Sequence, residues 1–474
     1  MTEAGQRQKW WVMAAVTVGV FLSTIDGSMV NLALPVLARE LDATFAAVQW
    51  VVLAYAFTLV ALMLVAARLG DRYGKQRVYL AGFVVFTLGS LCCAASSSVG
   101  TLLAARVVQS VGASGLMALG AALVAEAFPP AERGRAMGLV GAVVSVGLVS
   151  GPTLGGLLLQ ALPWQALFLV NLPLGVLGTA LTLRFVPTDS PVRAHPFDWR
   201  GALLLVGALL GFLLAITLGP HAAEPSVLLV TALLASLVGM FAFVKAQRTA
   251  RSPLVDPELF SRAEVSVSVL TGSMVFLASS GLVLLVPFFL QDLQGRPPAA
   301  AGLLMAVPPL VMGLTSPLAG WLSDRVGTRP LATLGLGVLA VGYLLVSGLR
   351  LDTPAWEYLL RIACLGLGMG LFQSPNNSAV LGAVPRQQLA TASGLLSLSR
   401  LLGQATGVAL VGAAWTALTR LLDPTRAADP MLAPLEVQRH ALSWTARGLA
   451  LFLAGGLVLT LLHWRRDRLA PLGT

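Results

Sequence analysis

The sequence has few charged residues, few cysteines and few histidines, and each shortage excludes a class of protein. Only 11% of the 474 residues are charged and 57% are apolar, whereas about 25% of the residues in a soluble domain are charged. This balance excludes a water-soluble globule. Three cysteines within apolar runs, and four histidines without metal-ligand spacing, predict neither a disulfide framework nor a metal site. No phosphate-binding loop (GxxxxGK followed by S or T) is present, so direct use of ATP is not expected.

Long apolar runs dominate the chain instead. A helix that crosses a bilayer needs roughly 20 apolar residues, so fourteen such helices need about 290 residues, which agrees with the apolar content. We predict an all-α membrane protein with fourteen spans. Their predicted bounds are 10–35, 45–67, 77–97, 101–128, 136–161, 165–186, 200–219, 226–244, 264–290, 299–322, 331–349, 356–384, 391–419 and 443–463.

The basic residues indicate the orientation of these spans. With the N-terminus in the cytoplasm, 21 of the 31 Lys and Arg residues fall in cytoplasmic segments and 7 fall outside. This bias follows the positive-inside rule. We therefore predict a multi-pass protein of the plasma (inner) membrane with both termini in the cytoplasm. Most of the basic residues that give the net charge of +10 lie in short loops between apolar runs and do not form one cluster. The lipid bilayer is therefore an expected partner and nucleic acid is not.

An internal repeat divides the chain. Residues 69–74 read LGDRYG and residues 322–327 read LSDRVG, with the Asp-Arg pairs 253 positions apart. A second match has an offset of 256 and pairs Pro129, Gly138, Gly147 and Gly151 with Pro385, Gly394, Gly403 and Gly407. Parallel repeats are typical of the two halves of a transporter. The predicted domains are a six-helix half (1–186), two insert helices with their loops (187–263), and a second six-helix half with a cytoplasmic tail (264–474).

The repeated charged turns predict conformational latches, although an ordinary cytoplasmic turn is the alternative for either copy. The latch residues are Asp71, Arg72, Gly74, Asp324, Arg325 and Gly327. Their pattern resembles the G-x-L-x-D-R-x-G-(R/K) motif of the major facilitator superfamily. The first copy departs from it at Ala67 and the second at Thr328. The resemblance implies two six-helix halves around a central cavity, which open alternately to the two sides of the membrane.

The fifth span contains a string of glycines. Gly147, Gly151, Pro152, Gly155 and Gly156 form the pattern G-x-x-x-G-P-x-x-G-G. Glycines four residues apart allow another backbone to approach closely, and proline removes a helix hydrogen bond. Generic helix packing is the alternative. The full string resembles the signature of antiporters in the superfamily, which implies a bend and seal that limits leakage.

Asp26 is the only carboxylate deep within a predicted span, and Arg106 in the fourth span lies at a similar depth. Burial favours the neutral form of a carboxylate and a nearby arginine favours the ionised form, a competition that suits reversible proton binding. A structural ion pair is the alternative. The helix around Asp26 resembles the first-helix motif of the fourteen-helix drug–proton antiporters, the branch that includes the quaternary-ammonium and multidrug-resistance type.

That resemblance implies export of small lipophilic or cationic compounds in exchange for protons, with no other cofactor and no enzymatic activity. A narrow-range exporter of one antibiotic, lipid or metabolite and a proton-coupled nutrient symporter remain alternatives. We expect a monomer and leave any accessory export partner open. Candidates for the substrate cavity are polar or aromatic residues within spans: Asn31, Gln49, Trp50, Tyr55, Gln109, Asn171, Phe276, Phe372, Gln373, Asn376, Asn377 and Gln404.

The latch hypothesis predicts a kinetic defect. Asp71→Asn and Asp324→Asn should each slow substrate exchange in proteoliposomes without reducing membrane insertion, because each removes a charge that biases the two conformations. Exchange at the wild-type rate in both variants would leave the two turns as ordinary loops.

Overall fold

The computed structural model describes residues 3–129, 132–188, 198–218, 227–249, 257–385, 388–424, 427 and 429–469. Within these ranges the chain is helical and contains no β-strand. Residues 189–197 and 250–256, which belong to the predicted loops around the two insert helices, and the last residues of the predicted tail lie outside the described residues.

Sixteen α-helices are defined within those ranges. The first nine are α1 (Glu3–Glu40), α2 (Phe45–Tyr73), α3 (Lys75–Ala94), α4 (Val99–Ala127), α5 (Arg133–Ala161), α6 (Ala166–Leu169), α7 (Asn171–Phe185), α8 (Trp199–Leu218) and α9 (Val227–Thr249). The others are α10 (Ala263–Phe288), α11 (Pro298–Met305), α12 (Val307–Val326), α13 (Thr328–Ser347), α14 (Ala355–Gly382), α15 (Leu389–Leu422) and α16 (Leu435–Leu469). A π-helical turn, Phe289–Leu293, continues α10.

Thirteen helical stretches of the described chain are long and apolar enough to cross a membrane. Two of them contain a break: α6 and α7 together make the sixth predicted span, and α11 and α12 make the tenth. The seventh predicted span corresponds to α8, which contributes the shorter apolar stretch Trp199–Phe212. The protein is therefore an all-α, multi-pass membrane protein, as the apolar runs predicted.

Polar caps set several helix ends. The side chain of Thr44 accepts a hydrogen bond from the backbone of Ala47 at the start of α2. Ser98 and Thr101 form a reciprocal capping box at the start of α4. Each cap satisfies backbone N–H groups that have no partner within the helix.

The described residues form two compact units. The first contains those of 1–210 together with Arg296–Ala306, so that α11 packs against α5 within it. The second contains those of Gly211–Thr249, Val255–Gly295 and Val307–Thr474. Packing partners repeat between the units: α1–α5, α2–α4 and α3–α4 in the first correspond to α10–α15, α12–α14 and α13–α14 in the second. The sequence repeat is thus also a repeat of helix packing.

The repeated charged turns have the same backbone conformation. Gly74 joins α2 to α3 with φ 99°, and Gly327 joins α12 to α13 with φ 93°. Side chains strongly disfavour this region of φ, so each turn requires glycine.

The glycines of α5 form a face that lies directly on α1. A Cβ atom on Gly147 would lie 3.0 Å from the Cβ of Thr24, and one on Gly151 would lie 2.7 Å from the Cβ of Ser28. The hydroxyl of Ser28 donates a hydrogen bond to the carbonyl of Gly147 over 3.3 Å. Because these backbones are so close, any side chain at Gly151 would force α1 and α5 apart.

The second unit repeats this contact with different residues. A Cβ atom on Gly403 in α15 would lie 2.7 Å from the carbonyl oxygen of Ser273 in α10, and Gly407 lies against Leu277 and Ser280. The Ser280 hydroxyl donates to the carbonyl of Gln404. Ser280 therefore occupies the place of Ser28, which aligns α10 with α1 at an offset of 252.

The close contact predicts that Gly151→Leu abolishes transport or allows protons to leak, because Leu adds four carbons where α1 leaves no space. Gly138→Leu on the same helix is the matched control, since nothing lies within 4 Å of a Cβ there. Transport and proton leak in proteoliposomes, normalised to the amount of inserted protein, measure both variants. Equal behaviour of the two variants would contradict the packing argument.

Candidate functional site

Asp26 and Arg106 form a buried ion pair in the first unit. Asp26 lies in α1 and is 0% exposed, and Arg106 lies in α4 and is 1% exposed. An NH group of the guanidinium donates to a carboxylate oxygen over 2.6 Å. Removing two charges from water is expensive, and their attraction offsets that penalty only when the remaining hydrogen-bonding groups are also satisfied.

Two amide side chains complete the surroundings of the Asp26 carboxylate. Gln109 in α4 donates to its second oxygen over 2.8 Å, and Asn171 in α7 donates to the same oxygen over 2.7 Å. Gln109 also donates to the hydroxyl of Ser90 in α3 over 2.8 Å. Asp26 thus accepts three hydrogen bonds, and four helices meet at one fully buried cluster.

Local features of the sequence bring these helices together. A Cβ on Gly89 of α3 would lie 2.5 Å from the Cα of Gln109, so glycine at that position lets α3 and α4 approach closely enough to join Ser90 and Gln109. Asn171 is the first residue of α7, directly after the break that separates α6 from α7. That break, at Val170, lies near the start of the apolar stretch Ala166–Phe185, and the side chain of Asn171 reaches Asp26 in α1.

Aromatic rings cover the arginine. The Arg106 guanidinium lies 4.2 Å from the ring centroid of Tyr55 in α2 and 5.9 Å from that of Phe168 in α6. A desolvated cation–π contact is worth about 2 kcal/mol. The Tyr55 hydroxyl and the Oδ1 atom of Asn171 are buried without a hydrogen-bond partner. The cluster therefore satisfies an ionised Asp26 and retains two unused polar atoms.

Comparison with known proteins identifies the fold. The family model described as the Major Facilitator Superfamily matches residues 16–408. The chain belongs to the major facilitator superfamily. The riboflavin transporter RibZ of Clostridioides difficile is 36% identical over 406 residues, which cover 85% of this chain and 87% of RibZ. The multidrug resistance protein Stp of Mycobacterium tuberculosis is 35% identical over 441 residues, 92% of this chain and 81% of Stp.

Solved structures show the same fold at low sequence identity. An inward-facing, unoccupied bacterial homologue of the human lysosomal transporter Spinster has a TM-score of 0.70 and 17% identity, with 97% of each chain covered. The transporter PepTSo of the POT family has a TM-score of 0.68 and 15% identity, with 98% of this chain and 99% of that chain covered. Together with the family model, the transporter-named relatives identify this chain as a membrane transporter of small molecules and not an enzyme.

The predicted latch residues lie at the two glycine turns of this superfamily member. Asp71 lies 3.8 Å from Arg68, one turn earlier in α2, and both side chains are partly exposed. Arg325 lies over the ring of Trp321 in α12, 3.8 Å from its centroid. Across the first turn, Lys75 of α3 pairs with Glu126 at the end of α4.

The predicted cavity residues are divided between the two units. Tyr55, Gln109 and Asn171 belong to the Asp26 cluster, where both amides contact the carboxylate. Phe372 and Asn376 line a small cavity of the second unit with Glu264 and Arg329. Gln49 is buried as well. The remaining candidates are half-buried: Asn31, Trp50, Phe276, Gln373, Asn377 and Gln404.

Sequence reasoning missed two members of the cluster, Ser90 and Phe168. A serine after glycine in an apolar helix and a phenylalanine near a helix break are both common, so neither carries a signal of its own. Only the contacts of Ser90 with Gln109 and of Phe168 with Arg106 distinguish them.

The buried pair predicts that substitutions of Asp26 and Arg106 have strongly non-additive effects on the free energy of unfolding. Arg106→Leu should lower the free energy of unfolding by about 3–5 kcal/mol, because it leaves Asp26 buried without a cation. The double variant Asp26→Asn with Arg106→Leu should recover most of that loss, since it buries no charge. Thermal or denaturant unfolding of the purified proteins in detergent measures this cycle. Additive effects of the two substitutions would contradict direct pairing.

Proposed function

We propose that this transporter is a proton-coupled antiporter that exports small amphiphilic or lipophilic compounds across the plasma (inner) membrane, with both termini in the cytoplasm. The observation that carries the proposal is the buried Asp26 with its arginine and two amide partners. Asp26 is a fully buried carboxylate inside a described span, whereas Glu126, Glu264 and Glu357 lie towards helix ends. The name of a relative, the multidrug resistance protein Stp, supports such compounds as substrates.

The hydrogen bonds around Asp26 suggest how a proton changes the site. The ionised carboxylate accepts three donors, and protonation adds a hydroxyl that must itself donate. The Oδ1 atom of Asn171 is an acceptor without a partner, and a half-turn of this amide would present it to the protonated acid. The same half-turn breaks the hydrogen bond that the Asn171 amide N–H donates to the ionised carboxylate. Arg106 then keeps Gln109 as a partner.

This exchange of partners gives two arrangements with different helix contacts. In the ionised arrangement Asp26 ties α1 to both α4 and α7. In the protonated arrangement the attraction between Asp26 and Arg106 is lost, and α1 is freer to move against α4. A proton that enters down 100 mV supplies about 2.3 kcal/mol, which is enough to shift such an equilibrium substantially. Substrate release outward and proton release inward would be coupled through this movement.

A transporter dedicated to one metabolite is the second candidate. RibZ, named as a riboflavin transporter, is as similar to this chain as the multidrug relative is. The same Asp26 chemistry serves either substrate range. A drug-susceptibility panel in a pump-deleted host separates the two. If expression of the transporter protects the host against several unrelated compounds, export is broad. If it protects against none of them, the transporter is dedicated to a single substrate. Exclusion, rather than accumulation, of the substrate by whole cells separates antiport from symport.

Asp26→Asn should abolish substrate-induced proton release in proteoliposomes while leaving downhill substrate exchange measurable, because asparagine keeps the shape and fixes the neutral state. Glu357→Gln is the matched control, since Glu357 pairs with Arg361 near the start of α14. The substrate is one identified by the susceptibility panel. If Asp26→Asn still releases protons on substrate addition, the coupling site lies elsewhere.

A further inference from the structure

The second unit contains a charge that no described residue neutralises. Arg400 lies in α15, 11 residues after Leu389, or roughly 16 Å along the helix. Its guanidinium lies 5.1 Å from the ring centroid of Phe276 in α10. Its Nε atom is buried without a hydrogen-bond partner. The residue as a whole is half-buried. An arginine within a span normally has a charged or polar partner, so this one is unusual.

No acid with a described side chain on the neighbouring helices is available to Arg400. Between Leu389 and Leu422, α15 contains no acidic residue, and its packing partners are α10, α14 and α16. Each of these three helices has an acidic side chain in its first turn, and that side chain pairs with another arginine. The pairs are Glu264 with Arg329, Glu357 with Arg361, and Glu436 with Arg439.

Helix packing does not account for the arginine either. Arg400, Gly403 and Gly407 recur at helical spacing on the side of α15 that faces α10. At the repeat offset of 256, the corresponding stripe of α5 begins with Val144. The same helix pair therefore packs in the first unit without a charge at this position. Because Arg400 lies on the helix-facing stripe, it is not placed to extend directly into lipid.

We infer that Arg400 binds an anionic group of the transported molecule. The substrates are then amphiphilic organic acids or zwitterions that carry a carboxylate or phosphate beside an apolar, preferably flat, body. The guanidinium offers a planar fork of donors that matches such an oxyanion, and the Phe276 ring provides an adjacent apolar face. This inference rests on the proposed export of small amphiphilic compounds and narrows their chemical class.

Equilibrium binding of two matched dyes tests the inference. Rhodamine B has a free carboxylate, and its ethyl ester has the same fluorophore with that carboxylate capped. Fluorescence polarisation with the purified full-length protein in phosphatidylcholine nanodiscs should show at least tenfold tighter binding of the acid. Arg400→Gln should remove that preference and change the affinity for the ester by less than about twofold. Arg400→Lys, which keeps the charge without the fork, should fall between them.

Equal affinity for the two dyes in the wild-type protein, or binding of neither, would overturn the inference without depending on any variant. A preference that survives in folded Arg400→Gln or Arg400→Lys at full strength would overturn it as well. Repeating the titration with phosphatidylglycerol tests a lipid phosphate as the anion. Weakened binding of the acid there, in the wild type only, would assign Arg400 to lipid and overturn the substrate assignment.

The binding assay uses no proton gradient, so its outcome is separate from that of the antiport proposal. Asp26→Asn should retain the preference for the acid even though it loses proton coupling. Loss of coupling in Asp26→Asn together with equal binding of both dyes would leave antiport standing and reject the role of Arg400.

Discussion

The first unit is organised around a carboxylate and a guanidinium that have both been taken out of water. Asp26 and Arg106 satisfy each other only if α1 and α4 keep their present register, and the amides of Gln109 and Asn171 extend that requirement to α7. Glycine at position 89 permits the approach of α3. A change in the charge of this cluster consequently alters the forces between four helices at once. That coupling of charge to helix contacts is what a proton-driven transporter requires.

The two units share a scaffold but differ in charge. The α1–α5 and α10–α15 pairs have matching glycine contacts, and Ser28 and Ser280 occupy equivalent places. At the offset of 252 that relates Ser28 to Ser280, the position of Asp26 is taken by the buried Ala278. Conversely, Arg400 has Val144 as its counterpart. The repeat thus fixes how helices pack, while these two positions differ between the units: the first has a paired acid at Asp26 and the second has a cation without a described acidic partner at Arg400.

Membership of the major facilitator superfamily establishes the fold and the general activity, but substrates and coupling depend on side chains. Structures with 15–17% identity share this fold, and relatives of about equal identity are named for riboflavin and for multidrug resistance. A fold that hosts such different substrates cannot identify one. The Asp26 cluster and Arg400 are therefore the informative features, because they carry the two proposals about specificity: proton coupling at Asp26 and binding of an oxyanion at Arg400.

The sequence by itself determined the all-α membrane fold, because its apolar runs are long enough for helices that cross a bilayer, and a helix satisfies its own backbone hydrogen bonds there. The apolar runs gave the approximate number and positions of these helices, while the breaks within the sixth and tenth spans appeared only in the structure. It also determined the repeat and singled out Asp26, since a carboxylate deep in a span is rare. Only the tertiary structure decided which side chains meet it. Gln109 and Asn171 were indistinguishable from cavity residues because a polar residue in a helix has no partner until another helix is placed beside it. Ser90 and the isolation of Arg400 became visible for the same reason: contacts between residues distant in sequence depend on packing, which the one-dimensional pattern does not contain.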